Sequence, residues 1–435
     1  MASIGIVGAG TAGLHLGLKL LAQNVAVTLY AEQDFAKVRA SRLLNTVTHH
    51  SPTREREREL GVDFWSSPEL AMNRCAIHVH GPQSFSLTGR LTEPGLCVDY
   101  RVYLPRLAEE FVARGGRLEV GPVDGEVLKT LAERHTLVVV ATGRSGLTAR
   151  FPRIPELSPH TKPPRLLFAA ILDGVRMPEP ACMQANLVPG QGEVFESQFI
   201  TRQGRAPSVL IEGLPGSELA MLSTRKRDDD PAAFDALLLH FLQRFAPSTY
   251  ERVDPAAFRV RGPLDFLQGA FTPVVRRPWA ALGEGRFVMA VGDTHVTNDP
   301  IAGQGANATS ASAFSLAASI VEALRAERPF DESFCRDAEA RMWAASAPAT
   351  DWTNALLQPP PPHVAELLFA GSRDPHIADA IIRAFMIPER ILSACASPEA
   401  SASFMAQATT PAPEMLAGSG AHAWEGTTPP RVHAH

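Results

Sequence analysis

Apolar positions open the chain in a strand pattern, with Ile4, Ile6 and Val7 leading into the turn Gly8-Ala9-Gly10-Thr11-Ala12-Gly13. Leu14, Leu18 and Leu21 then recur at helical spacing, while Gly13 and Gly17 share a second stripe where a backbone can pack closely. A returning strand follows over 25–30, so the pattern predicts a βαβ unit. Two later runs, 137–141 and 287–291, are continuously apolar and predict strands buried on both faces. Each ends in turn chemistry, Thr142-Gly143 after the first and Gly292-Asp293 after the second. Ligands of open α/β sheets bind beyond the carboxyl ends of strands, so three such ends predict one shared crevice in a discontinuous domain.

Between 166 and about 222 the pattern changes to short β-rich runs, 166–172, 193–201 and 208–214, separated by Pro and Gly. These predict a mixed or antiparallel sheet inserted beside the first domain. The run Arg225-Lys226-Arg227-Asp228-Asp229-Asp230-Pro231 is expected to be a solvated turn, with Asp230 capping a helix that starts at Pro231. From Gly305 to about residue 396 periodic Ala- and Leu-rich stretches predict helices, interrupted at Pro359-Pro360-Pro361-Pro362. The tail 401–435 is rich in Ala, Ser, Thr, Pro and Gly and is expected to be disordered. There is no internal repeat.

Composition narrows the classes. The chain has 435 residues, 45% apolar and 20% charged, enough for one large core or two ordinary ones. A formal charge of -5 leaves no positive excess to neutralise a nucleic-acid backbone. No apolar run approaches the roughly 20 residues that cross a bilayer, and the N-terminus enters a strand directly, so neither a membrane span nor a leader is expected and the cytoplasm is the expected location. Cys75, Cys97, Cys182, Cys335 and Cys395 are odd in number and scattered, without a CxxC or clustered His, which argues for buried thiols rather than disulfides or a metal site.

The glycine turn sits after a strand and opens a helix, which is the context of a dinucleotide fingerprint. There the backbone N–H groups of Gly8, Gly10, Thr11, Ala12 and Gly13 and the positive helix end can hold a pyrophosphate. An acidic residue for the adenosine ribose is expected about twenty positions on, where Glu32 stands one place later than usual. A second signal is Gly292-Asp293 followed by Asp299-Pro300-Ile301-Ala302-Gly303-Gln304-Gly305-Ala306-Asn307. Asp293 at a strand end can bind a ribityl hydroxyl, and Pro300, Gly303, Gly305, Ala306 and Asn307 build a second helix N-terminus able to stabilise a reduced isoalloxazine. Two anion-facing helix ends suit FAD better than NAD.

With GAGTAGLHLGL, RLLNTV at 42–47, VDYR at 98–101, ATG at 141–143, GD at 292–293, DPxxGQGAN at 299–307 and WTN at 352–354, the chain resembles the oxygenase component of styrene and indole monooxygenases over nearly all of its length to about residue 400. RLLNTV together with DPxxGQGAN is the specific part. The resemblance implies an α/β flavoprotein with a glutathione-reductase-like, Rossmann FAD-binding domain, an inserted β-sheet substrate domain and a helical C-terminal region. The expected division is 1–165 for the first part of the FAD domain, with a small β insertion about 75–97; 166–265 for the substrate sheet; 266–325 for the second FAD part; and 326–400 for the helical region.

The resemblance further implies a two-component enzyme. A separate NADH-dependent flavin reductase would hand over reduced FAD, and O2 would form a C4a-hydroperoxide that epoxidises an aryl alkene or indole, or sulfoxidises an aryl sulfide. A homodimer stays open. No second GxGxxG exists for a nicotinamide cofactor. By the same resemblance Arg42, Leu43, Leu44, Thr142 and Gly143 would contact the cofactor, and Asn45, Val47 and His49 would face the reacting edge; His50 is expected to face solvent. Asn45, Val47 and His49 match the styrene-type loop, whereas Met72, Cys75 and Gly95 stand where that type would place other residues, which implies a roomier pocket. A flavin halogenase is set aside because all five Trp are isolated and no Lys lies between Lys37 and Lys129. A single-component NAD(P)H-dependent hydroxylase and a non-catalytic FAD scaffold are the alternatives.

Overall fold

The structure is a computed structural model, and it describes residues 2–144, 146–283 and 285–410. The expected βαβ unit is present as strand Ser3–Val7, helix Thr11–Leu21 and strand Ala26–Ala31. These strands belong to a six-stranded sheet in the order Trp279–Gly283, Arg286–Ala290, Leu137–Val140, Ser3–Val7, Ala26–Ala31, Arg117–Val120. All pairs are parallel except the Trp279 edge. Leu137–Val140 is buried at all four positions because helices cover both faces, which is why its sequence is apolar without alternation. The helices Thr11–Leu21 and Gly305–Arg325 pack on each other over one face, burying Leu14, Leu18, Leu316 and Ile320.

The second sheet is mixed, as expected, and has nine strands. Its main path runs Arg259–Val260, Leu166–Asp173, Gly204–Gly213, Gly192–Thr201, Cys182–Val188, Met72–Val79, Phe85–Gly95. Met72–Val79 pairs in parallel with Cys182–Val188, register Ile77 to Ala185. The segment near 75–97 is therefore not a small separate insertion; it supplies two strands of the second sheet, a long-range pairing that local pattern does not reveal. Phe266–Gly269 also joins this sheet, beyond the expected boundary at 265. One sheet face packs Phe168, Val194, Val209 and Ile211 against Phe234, Leu238 and Phe241 of helix Pro231–Phe245.

Asp230 caps that helix by accepting from the Ala233 N–H, as expected. The basic run before it is not wholly solvated. Arg227 is buried, bidentate on Asp235 at 2.8 and 2.9 Å, and stacked 5.2 Å from the Phe266 ring centroid. Among the described residues five helices follow the Gly305 helix: Glu332–Leu356, Pro362–Gly371, Pro375–Phe385, Pro388–Ala394 and Pro398–Thr409. The break at Pro359–Pro361 is where the spacing places it. The last helix enters the tail expected to be disordered: Ser397 accepts from the Ala400 N–H, Pro398 supplies the first turn, and buried Ser401 donates to the Ala394 carbonyl at 2.8 Å. The rest of that tail, 411–435, lies outside the described residues. Among the described residues no helix is long and apolar enough to cross a membrane, and the five cysteines are free, four of them buried.

Candidate functional site

Most longer helices here have a side-chain N-cap; Asp99, Asp124, Asp230, Asp331, Asp374 and Ser397 each accept a backbone N–H. Two glycine-led helices lack one. Helix Thr11–Leu21 starts from Gly10 and helix Gly305–Arg325 from Gln304, neither with a side-chain cap. Their first N–H groups are left for something outside the helix. Both ends open onto the same cavity of about 1580 Å³, which Gly8, Gly10, Thr11, Ala12, Gly303, Gly305 and Ala306 all line.

The glycine turn is sterically compelled. Gly8 has φ +114°, and a Cβ there would lie 2.2 Å from the Ala141 carbonyl oxygen; a Cβ on Gly13 would lie 1.9 Å from the Gly8 oxygen. Gly13 thus closes the turn from behind and does not line the cavity. Beyond the strand ends, Glu32, Thr142, Gly143, Arg144 and Asp293 extend the same lining. Arg144 stacks 4.0 Å from the Phe271 ring centroid. Burial raises the Asp293 carboxyl above its ordinary range, with Arg144 opposing that shift.

The 42–50 loop divides. Leu44, Asn45, Thr46, Val47 and Thr48 line the cavity, and the Asn45 Oδ1 is buried without a hydrogen-bond partner. Arg42 turns away, stacked 4.2 Å from the Phe266 centroid and paired with Asp228 at 3.4 Å. Leu43 is buried under the sheet with Met72, Cys97 and Phe199. His49 also leaves the cavity. Its Nδ1 lies 2.6 Å from Glu57 Oε1 and its Nε2 2.9 Å from the Tyr100 hydroxyl, to which Thr11 Oγ1 donates at 2.9 Å. Tyr103 donates to the same Glu57 oxygen at 2.6 Å and sits 2.7 Å from His15 Nε2. Burial pushes Glu57 upward, but the charge and hydrogen bond of His49, followed by His15 and Tyr103, bring it below the usual carboxylate range. Through Tyr100 and Thr11 this network ties the loop to the glycine turn, which makes His49 a positioning residue.

His50, expected at the surface, is instead buried on the cavity wall, and burial with the charge of His49 lowers its pKa to about 4, leaving a neutral ring at pH 7. Asn307 fastens the loop from the other side: its Oδ1 accepts from the His50 N–H and Thr53 Oγ1, and its Nδ2 donates to the Thr48 and Gly303 carbonyls at 3.0 and 2.9 Å. It therefore braces the second helix end rather than lining it; Pro300 does line the cavity. Of the three positions expected to reshape the pocket, only Cys75 borders it. Met72 is buried beneath Leu43, and a Cβ on Gly95 would meet Thr48 Cγ2 at 3.0 Å.

Residues 143–252 match the family model described as "Styrene monooxygenase A putative substrate binding domain". The styrene monooxygenase StyA of Pseudomonas fluorescens is 38% identical over 400 residues, covering 91% of this chain and 95% of that protein. This chain belongs to the styrene monooxygenase family. The StyA of a Pseudomonas species matches at the same 38% and the same coverage. Among solved structures, the flavin-dependent brominase Bmp2 superposes with a TM-score of 0.61 at 14% identity, covering 93% of this chain and 97% of that one. PqsL of Pseudomonas aeruginosa, solved with 2-aminobenzoylacetate, gives 0.60 at 16%, covering 87% and 99%. Both likenesses concern the fold. As a styrene monooxygenase family member the protein is an FAD-dependent monooxygenase.

The residues of this family member fit that cofactor. Two uncapped helix ends face one cavity, and a Cβ on Gly10 or Gly305 would meet no protein atom within 4 Å, so open space lies beside both helix starts. Asn45 Oδ1 lacks a partner in the same wall.

Sequence reasoning also missed an acidic cluster beside the Pro300 turn. Arg165 and Glu193 line the cavity as a bidentate pair at 2.8 and 3.0 Å. Behind them Glu212 is fully buried with neither oxygen accepting a hydrogen bond, next to Asp299, whose carboxylate caps the Ile301 N–H. Three buried carboxylates share one guanidinium, so burial and Asp299 raise Glu212 well above the carboxylate range and it keeps its proton. The inward alternation of strands 193–201 and 208–214 was the available signal, once their charged inward positions are noticed.

Proposed function

We propose that this protein is the oxygenase of a two-component system, accepting reduced FAD from a separate NADH-dependent flavin reductase and inserting one oxygen atom into a neutral aryl alkene, indole or aryl sulfide. The observation that carries this reading is a single cavity with two open helix ends at one side and an apolar chamber at the other. The chain also has only one GxGxxG, which supports a nicotinamide site on another protein.

Bound reduced FAD supplies the two electrons and the activation of O2, of which one atom goes to the substrate and the other leaves as water. The chain's residues bind, orient and exclude water. The N–H groups of the Gly10 turn hold the pyrophosphate, Glu32 the adenosine ribose and Asp293 a ribityl hydroxyl. The N-terminus of the Gly305 helix stabilises negative charge at the ring, and Asn45 offers its free amide oxygen at the reacting edge while Val47 packs beside it. His50, neutral and buried, adds bulk that keeps water away. We place the reaction in the cytoplasm, supported by free, buried cysteines.

The test supplies purified protein with chemically reduced FAD, air and styrene, and in parallel with FAD and NADH but no reductase. Epoxide in the first mixture and no NADH consumption in the second support the proposal. NADH consumption by the protein alone would point to a single-component hydroxylase. Asn45→Ala should lower epoxide per reduced FAD, with hydrogen peroxide made up in its place and FAD affinity nearly unchanged; intact coupling would remove Asn45 from the site.

A further inference from the structure

The chamber end of the cavity is longer than one aromatic ring requires. Ala169, Leu210, Phe195, Ala185 and Ile77 come from five adjacent strands, each opposite the next in register, and all five face the cavity. Four strand spacings make this row about 19 Å long. Small Ala169 and Ala185 stand beside the larger Leu210, Phe195 and Ile77, so the row is an uneven trough rather than a flat wall. Its far side is roofed by Leu367, Ile381 and Phe385 from the C-terminal helices.

Among the described residues, no unpaired charged side chain lines this end. The charged side chains that line the cavity are Glu32, Arg144 and Asp293 at the nucleotide end, and Arg165 with Glu193, which satisfy each other. The two thiols on the wall, Cys75 and Cys395, are pushed up by burial, the latter to about 11, so both stay protonated. An ionic substituent would enter without a counter-charge and would be rejected by its desolvation cost. A neutral arene longer than one ring would gain contact along the whole trough.

We propose, resting on the function proposed above, that the preferred substrate is a neutral vinyl arene of two or three rings, its ring system lying along the Ala169–Ile77 row and its vinyl group toward Asn45. Ala185, fourth of the five and set between the larger Phe195 and Ile77, leaves the room that sets the length accepted.

The first test measures binding by calorimetry to the FAD-loaded protein, using the unreactive ethylbenzene, 2-ethylnaphthalene and 4-ethylbiphenyl. The dissociation constant should fall at least tenfold from the first to the last. It should rise at least tenfold again when a carboxylate is placed on the distal ring of the biphenyl. Ala185→Trp should abolish the gain from added rings, and Ala185→Leu should reduce it if the larger replacement fails to fold. A constant that is flat or rises with ring number, or a gain that survives both variants, overturns the inference. A second test gives the protein reduced FAD, O2 and equal limiting amounts of styrene, 2-vinylnaphthalene and 4-vinylbiphenyl. Epoxides of the larger alkenes should predominate. Styrene oxide alone would overturn the inference and leave the proposed function standing, whereas no epoxide from any of the three would sink both.

Discussion

Backbone amides line one end of the cavity, and apolar side chains line the other. At the nucleotide end the Gly10 and Gly305 helices have no side-chain caps, and open space lies beside Gly10 and Gly305. Recognition there depends on glycines that let the main chain come close, so the wall tolerates few substitutions. At the chamber end the wall is the alternating face of a sheet, and side chains such as Ala185 and Phe195 can change without moving the backbone that bears them. On the function proposed above, one end holds the cofactor and the other the substrate.

The sharpest way to break this contrast is at the glycine turn. Gly13→Ala forces a Cβ to 1.9 Å from the Gly8 oxygen, so the turn must open. We expect a lower melting temperature and about 100-fold weaker FAD binding, equivalent to roughly 3 kcal/mol. Gly10→Ala meets no protein atom, so it should weaken FAD binding while leaving the melting temperature of the FAD-free protein unchanged. Equal melting losses in the two variants would deny that Gly13 shapes the turn and Gly10 faces the ligand.

His49→Ala tests whether that side chain braces the site or works in it. Removing it strips Glu57 of a buried partner and should cost about 3 kcal/mol in urea unfolding. If stability holds and only product yield falls, the positioning role is wrong. Asp293→Ala should weaken FAD by roughly ten- to a hundredfold through loss of a charge-assisted hydrogen bond worth about 1.5–3 kcal/mol, measured by flavin fluorescence titration. Unchanged affinity would detach Asp293 from the ribityl chain.

The smallest effect is expected at the acid cluster between the two ends. A carboxyl raised in the folded state holds a proton that the unfolded chain has released, so its stabilising contribution is full below the free acid's range of about 4.3 and declines as pH rises above it. Glu212→Gln mimics the protonated form at every pH. It should flatten the fall in melting temperature that the parent shows as pH rises above the free acid's range. Parallel curves for parent and variant would mean that Glu212 is ionised.

The same contrast explains what could be read in advance. Gly8 to Ala12, Asp293 and the Gly305 helix end were legible as parts of one cavity wall because a strand, glycine turn and helix restrict residue type and spacing within a few positions. Asn45 and Val47 came from a resemblance and lie on the wall. His49 and His50 were exchanged in expectation, since which of two neighbours turns inward depends on Glu57, Tyr100 and Asn307, contributed by other parts of the fold. Arg42 was likewise decided by Phe266, over two hundred residues away. Joining strands 72–79 and 85–95 to the substrate sheet needed a parallel pairing with Cys182–Val188 that no local pattern encodes.

The central claim is that the two ends belong to one cavity, so that the flavin and an apolar guest lie side by side. The most direct measurement adds ethylbenzene to the FAD-loaded protein and follows the absorption spectrum of the bound flavin alongside calorimetry. We expect a spectral perturbation that saturates at one ligand per chain with the calorimetric dissociation constant. Calorimetric binding that leaves the flavin spectrum untouched would put the guest elsewhere and contradict the account.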